Sequence, residues 1–204
     1  MIKKVLLLAV SCKTGGLCPG GLDLDAPKTW IRIVKNDGHS GAVQGYEIDF
    51  AEPLDVIQFD GRPMPQGKQR ENWVIDNLSC KKLHSYDQTV LNWAYKSYSY
   101  KEFWGNSNTY LSENEFNAIN VPSESMMRVY NVRIYNNCWN KAKIDFDWPQ
   151  KGFRITGVSM TDQGYYSIIK QNDVFYENAY IVTSVPKEAD WTNPNTGEKQ
   201  AYKF

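Results

Sequence analysis

The chain has 204 residues and a formal net charge of zero, 23 Lys+Arg against 23 Asp+Glu. Each half is balanced as well, with 12 basic and 11 acidic residues in 1–100 and 11 against 12 in 101–204. This excludes a strongly basic module that holds duplex DNA through charge alone, while a local basic groove remains compatible. No segment approaches the roughly 18 apolar residues of a membrane-spanning helix, and the length suits one large domain or two small ones.

Aromatic residues make up 14 % of the chain, a share that fits a β-rich protein with aromatic surface positions. Four cysteines, Cys12, Cys18, Cys80 and Cys138, have no metal-binding spacing, and His39 and His84 are isolated. The expectation is a reduced, cytoplasmic protein with no metal and no cofactor.

In chain order, "MIKKVLLLAVSC" has the outline of an export signal ending in a cysteine. Its apolar core, Val5–Val10, is at or below the lower limit of about 7 residues for such a signal. A short apolar run closed by "KTGG" instead predicts a strand buried on both faces. The glycines of "KTGGLCPGGLD" predict a loop, which is not a phosphate-binding Walker loop because the closing Lys-Ser/Thr is missing. Strands are then expected at Trp30–Val34, Asp55–Phe59 and Trp73–Ile75, with "GRPMPQGKQR" as a loop. Asp87 is expected to cap a helix carrying Val90, Leu91, Ala94, Tyr95 and Tyr98 at helical spacing. Ser112 and Glu115 form a capping box, flanked by Leu111 and Phe116 at the two staple positions, and this helix should end near Pro122. Strands return with "RVYNVRIY" and "KAKIDFDW", the latter alternating Ala142, Ile144, Phe146 and Trp148 with Lys141, Lys143, Asp145 and Asp147. "GFRITGVSM", "YSII" and "NAYIVTSV" follow, and an Asn-Thr-Gly turn precedes a last short strand. The order of strands, helices and strands predicts a mainly β chain with a short helical insert. The expected parts are a first β unit at 1–86, a helical connector at 87–121 and a second β unit at 122–204.

The segments "GGLCPGGLDL…TWIRIV", "QRENWVID", "FWGN…YLSENE", "FRITGVSMTD" and "AYKF" resemble, in order, the landmarks of the prokaryotic dual OB-containing domain family. Leu17 stands where that pattern has an arginine, and Gln163 where it has a proline. The resemblance implies two consecutive OB-like β-barrels, no known reaction, and a role in nucleic-acid or conflict-system biology.

Candidate ligand-binding residues follow. Alternation puts Trp30, Arg32 and Val34 on one strand face, and an aromatic beside an arginine on an exposed sheet is a base-stacking arrangement. The other reading is an arginine lying over the edge of the core. Glu71, Asn72 and Trp73 read either as polar groups around an aromatic platform or as a solvated acid, a turn cap and a core tryptophan. Lys13 would contact phosphate, and Arg128, Arg133, Lys141 and Lys143 would add a basic patch on the second barrel. No carboxylate pair or nucleophile–histidine motif marks a catalytic site. The leading expectation is a non-catalytic module for single-stranded nucleic acid or a nucleotide-like ligand. The alternatives are a protein-interaction or small-ligand sensor acting with a separate effector, and an enzyme whose site the sequence conceals.

Overall fold

The N-terminal apolar run is part of a long strand, β1 (Ile2–Lys13), in the computed structural model of the chain. The structure describes all residues except 14–15, 27, 37–40, 49, 77–78, 99–105, 121, 151, 163, 165–171 and 204, and the side chains of Lys13 and Tyr46. The expected "YSII" strand lies outside the described residues. The chain divides into two compact units, Met1–Tyr98 and Ser99–Phe204.

In the first unit β1 is followed by β2 (Gly16–Asp23), β3 (Trp30–Val34), α1 (Gly45–Ile48), β4 (Asp55–Pro63), β5 (Asn72–Ile75), β6 (Lys81–Ser85) and α2 (Val90–Tyr98). The strand order is β1-β2-β3-β5-β4, and a further pairing of β1 with β4 closes it into a five-stranded barrel; β6 extends β4. All pairings are antiparallel except β3 with β5. β1 serves both edges because it is long: Ile2–Leu6 pair with β4, while Val5–Lys13 pair with β2 across a bulge at Leu7/Ala9.

Val5, Leu7, Ile31, Ile33, Ile57, Phe59 and Ile75 fill the barrel interior. The opposite faces of the same strands are also apolar. Val56, Leu6, Leu22 and Trp30 stand in one row across β4, β1, β2 and β3, all buried. Burial on two faces is why Val5–Leu7 shows no alternation; of the run Val5–Val10 expected to be buried on both faces, Leu8 and Ala9 are only half-buried. The glycine-rich stretch, expected as a loop, is strand β2 instead. A Cβ at Gly21 would lie 2.0 Å from the Leu6 carbonyl oxygen, so the glycine permits close strand approach at the bulge.

The second unit holds β7 (Tyr110–Ser112), α3 (Glu113–Ala118), β8 (Glu124–Asn136), β9 (Ala142–Trp148), β10 (Phe153–Ser159), β11 (Val174–Ser184), β12 (Trp191–Thr192) and β13 (Lys199–Tyr202). Its sheets run β10-β9-β8-β11 and β12-β13-β7. Both contribute to one core: Val129, Val132, Ile134, Ile144, Phe146 and Trp148 from the larger sheet, Leu111 and Ala201 from the smaller, and Phe116 from α3. The Ser112–Glu115 capping box is present as expected, and both staple residues, Leu111 and Phe116, are in that core.

The division between the units, at Tyr98/Ser99, falls within segment 87–121. α2 buries Ala94 and Tyr98 within the first unit, and α3 buries Phe116 within the second. Asp87 accepts the Thr89 amide at 2.8 Å and closes a turn before α2.

Candidate functional site

Four of the sequence candidates converge on the outside of the first barrel. Parallel pairing sets Arg32 of β3 beside Asn72 of β5. The Arg32 amide donates to the Glu71 carbonyl at 3.0 Å, and the Arg32 guanidinium lies 3.7 Å from the Glu71 carboxylate. All three are buried, and the Oδ1 of Asn72 has no hydrogen-bond partner. Trp30 is the adjacent aromatic on this face, but at 1 % exposure it offers no stacking surface. Its indole N–H donates to the Tyr98 carbonyl at 3.4 Å, at the end of α2. The expected exposed Trp30–Arg32 platform is therefore corrected: the row Val56–Leu6–Leu22–Trp30 needs a cover of its own, and Glu71 offsets the arginine charge. Trp73 is on the other strand face, packed against the barrel core, with the Lys3 ammonium 4.7 Å from its ring centroid. Lys3 in turn binds Asp23 at 2.6 Å. Lys13 ends β1 opposite Gly16; its side chain is outside the described residues.

The basic candidates of the second unit share a face. Val129 and Met127 of β8 enter the core, so Arg128 points outward and lies over the Tyr130 ring at 5.4 Å. Its buried Nε meets no acceptor. A register shift between Tyr130 and Arg133, with Asn131 at φ 48°, turns Arg133 and Tyr135 to the outside as well. Arg133 lies over Tyr135 at 4.6 Å and binds Asp173 at 2.7 Å. The Asp173 hydrogen bond holds its pKa above the usual arginine value. Lys143 is opposite Tyr135 and donates to Ser159 Oγ at 2.9 Å; burial lowers its pKa. Asp145 accepts from the Gly157 amide at 2.8 Å and the Tyr135 hydroxyl at 3.2 Å. Burial, with that carboxylate second, raises the Tyr135 pKa. Asp147 accepts from Asn131 and Arg154, which keep its carboxyl below its ordinary value.

The hairpin joining β8 to β9 completes this end of the sheet. Asn137 Oδ1 accepts the Trp139 and Lys141 amides at 3.1 and 2.9 Å, and Asn140 takes φ 54°. The turn puts Trp139 in solvent at 78 % exposure beside exposed Lys141. β8 and β9 are the first two strands, in chain order, of the larger sheet of the second unit.

The closed β1-β2-β3-β5-β4 circuit is that of an OB barrel, and the model of the family described as dual OB-containing domain matches residues 3–204. The chain belongs to the dual OB-containing domain family. No curated protein and no solved structure matches it.

Several landmark residues of this dual OB domain meet inside the second unit. The Lys203 ammonium donates to the Asn106 carbonyl at 3.0 Å, to Asn106 Oδ1 at 2.8 Å and to the Asn108 carbonyl at 3.0 Å. Asn106 Nδ2 donates to Glu115 at 2.7 Å, and Glu115 accepts the Ser112 amide at 2.9 Å. Asn106, Asn108, Ser112, Glu115 and Lys203 thus tie β7, α3 and β13 into one knot. Lys203 is buried, which pushes its pKa down to about 7 against the pull of Glu115.

Sequence reasoning missed Trp139, Tyr135 and Lys203. The Asn-flanked "NNCWN" between two alternating strands was a hairpin signal able to place Trp139 at a tip; nothing local marks a buried lysine. Among the described residues no group of three or more His, Cys, Asp or Glu side chains is placed to hold a metal. Among the described residues no helix is long and apolar enough to cross a membrane.

Proposed function

We propose that this dual OB domain is a binding module that takes single-stranded nucleic acid across the hairpin end and outer sheet face of its second unit. The observation that carries the reading is the exposed Trp139 at the tip of the β8–β9 hairpin, two residues from exposed Lys141, on strands whose outer face carries Lys143, Arg133 and Tyr135. Single strands are held by aromatic faces with scattered cations, and a large basic field is not needed. From Arg128 to Tyr135 the face runs roughly 23 Å at the rise of a β-strand, and at its far end the buried Arg128 Nε still lacks an acceptor. The first barrel is not part of this surface, because its outer aromatic is buried.

A nucleotide-like ligand at Arg32, Glu71 and Asn72 is the second reading, favoured by the unpartnered Asn72 Oδ1. Buried polar atoms without partners are rare in folded proteins.

The test is fluorescence anisotropy with labelled single-stranded DNA, single-stranded RNA, duplex and mononucleotides at two salt concentrations. Single strands should bind best, Trp139→Ala should weaken them by about 1–3 kcal/mol, and Lys141→Ala should flatten the salt dependence. Absence of binding in low salt, or Trp139→Ala with undiminished affinity, would overturn the reading. Mononucleotide binding abolished by Asn72→Ala would move the site to the first barrel.

A further inference from the structure

The smaller sheet of the second unit has a face of its own outside the core. Leu111 of β7 and Ala201 of β13 are in the core, so their neighbours in each strand point the other way. Register then sets five side chains together on that outer face: Trp191 and Ser112 opposite Gln200, and Tyr110 opposite Tyr202. The Trp191 and Tyr202 rings meet edge to face, with centroids 5.1 Å apart and planes at 67°. Trp191, Tyr202 and Tyr110 are half-buried, and each keeps some surface in solvent.

Gln200 is the exception among the five. It is 3 % exposed although it stands on an outer face, and its Oε1 has no hydrogen-bond partner. A buried acceptor without a partner is costly and rare in folded proteins. A water molecule would need two or more polar partners to settle there. Of the two residues opposite Gln200, Trp191 is mostly apolar, and the Ser112 hydroxyl already donates to Glu115 at 2.9 Å.

We propose that this face is a nucleobase site, in which a base stacks on the Trp191 and Tyr202 rings and donates an N–H to Gln200 Oε1. The edge of a nucleobase sets a donor and an acceptor side by side in one plane, which complements a carboxamide; glutamine pairs with adenine in this way. Stacking on aromatic side chains supplies the remaining affinity and tolerates any base. Among the described residues of β7, β12 and β13 no lysine or arginine shares this face, so the ligand is held by its base and not by its phosphate. A sugar fits less well: its hydroxyls lie all round the ring, and Gln200 is the one buried polar side chain of the five. Gln200 is shut from water, so the base enters as Trp191 turns aside. β12 consists of Trp191 and Thr192 alone, and a two-residue strand opens readily. The site is on a different sheet from the Trp139 hairpin, and the proposal does not depend on strand binding there. A free nucleoside and an unstacked base of a single strand offer the same chemistry, and the test separates them.

The probes are adenosine, guanosine, cytidine, uridine and single-stranded DNA of mixed sequence, each titrated into the isotope-labelled full chain, with glucose as the control. NMR follows the Trp191 indole N–H and the Gln200 carboxamide. Nucleosides, adenosine foremost, should shift both signals. Gln200→Met should weaken binding about tenfold or more while keeping the wild-type thermal midpoint, because the acceptor it removes has no partner in the fold. Trp191→Leu should weaken binding to a similar extent. A response to the oligonucleotide at far lower concentration than to the nucleosides makes the ligand a base of a strand; a response to nucleosides alone makes it a free nucleoside. Four results would overturn the proposal: signals that no probe moves, glucose moving them as nucleosides do, Gln200→Met or Trp191→Leu binding as the wild type, or a Gln200→Met midpoint far below the wild-type one, which would show the carboxamide bonded within the fold.

Discussion

The Trp30 indole is enclosed on the outer side of the first barrel, with its N–H on the Tyr98 carbonyl and Leu22 beside it. Trp30→Ala should therefore cost about 3–5 kcal/mol of stability, read from urea unfolding, while the folded remainder keeps its affinity for any single strand. Lost affinity at unchanged stability would contradict the burial. Lys203 gives a second test at this scale. Its folded pKa is lowered to about 7, whereas an unfolded lysine titrates near 10.4. Between these values the unfolded chain holds more protons than the folded one, so the Lys203 contribution to stability rises with pH from about 7 to about 10.4 and is level below that window. Lys203→Met should remove this slope in thermal melts at pH 6, 8 and 9.5. It should also lower stability throughout, because the carbonyls of Asn106 and Asn108 lose their donor.

Among the elements, α3 depends most on its cap. With six residues it is far below the length at which a helix persists in water. It is held by the Ser112–Glu115 box at one end and by Phe116 in the core. Ser112→Ala should cost about 1 kcal/mol, seen as a lower denaturation midpoint at constant m-value. β2 shows the reverse relation between sequence and element. Its glycines are poor strand formers, yet Gly16–Asp23 pairs with both β1 and β3, because only a residue without a side chain allows Leu6 to approach Gly21. The alternating "KAKIDFDW" carried its own answer, since Ala142, Ile144, Phe146 and Trp148 all reach the core.

For the whole molecule, the closed strand circuit lies within Met1–Tyr98. A fragment of residues 1–98 should fold alone with dispersed amide NMR signals. A fragment ending at residue 86, the boundary suggested by the change from strand to helix, loses α2 and its cover over Trp30. It should unfold at a clearly lower temperature than the longer fragment or precipitate; equal melting of the two would show that α2 adds nothing.

The sequence by itself determined the β-rich class, the capping box, the strand through Val5–Val10 and the inner face of β9. Each rests on contacts within a few residues or on a hydrophobic period, and both are local properties. Its ordered motifs also pointed to the family that the chain proves to belong to. Only the tertiary structure decided which side of a strand was left open to solvent. Trp30 and Arg32 alternate as an exposed pair would, and nothing nearby in sequence shows that the second face of β3 is closed as well. In the same way, Asn106, Glu115 and Lys203 are spread over almost a hundred positions and become one buried knot through the pairing of β7 with β13. Exposure and long-range pairing are decided by the rest of the chain, and no stretch of residues carries them alone.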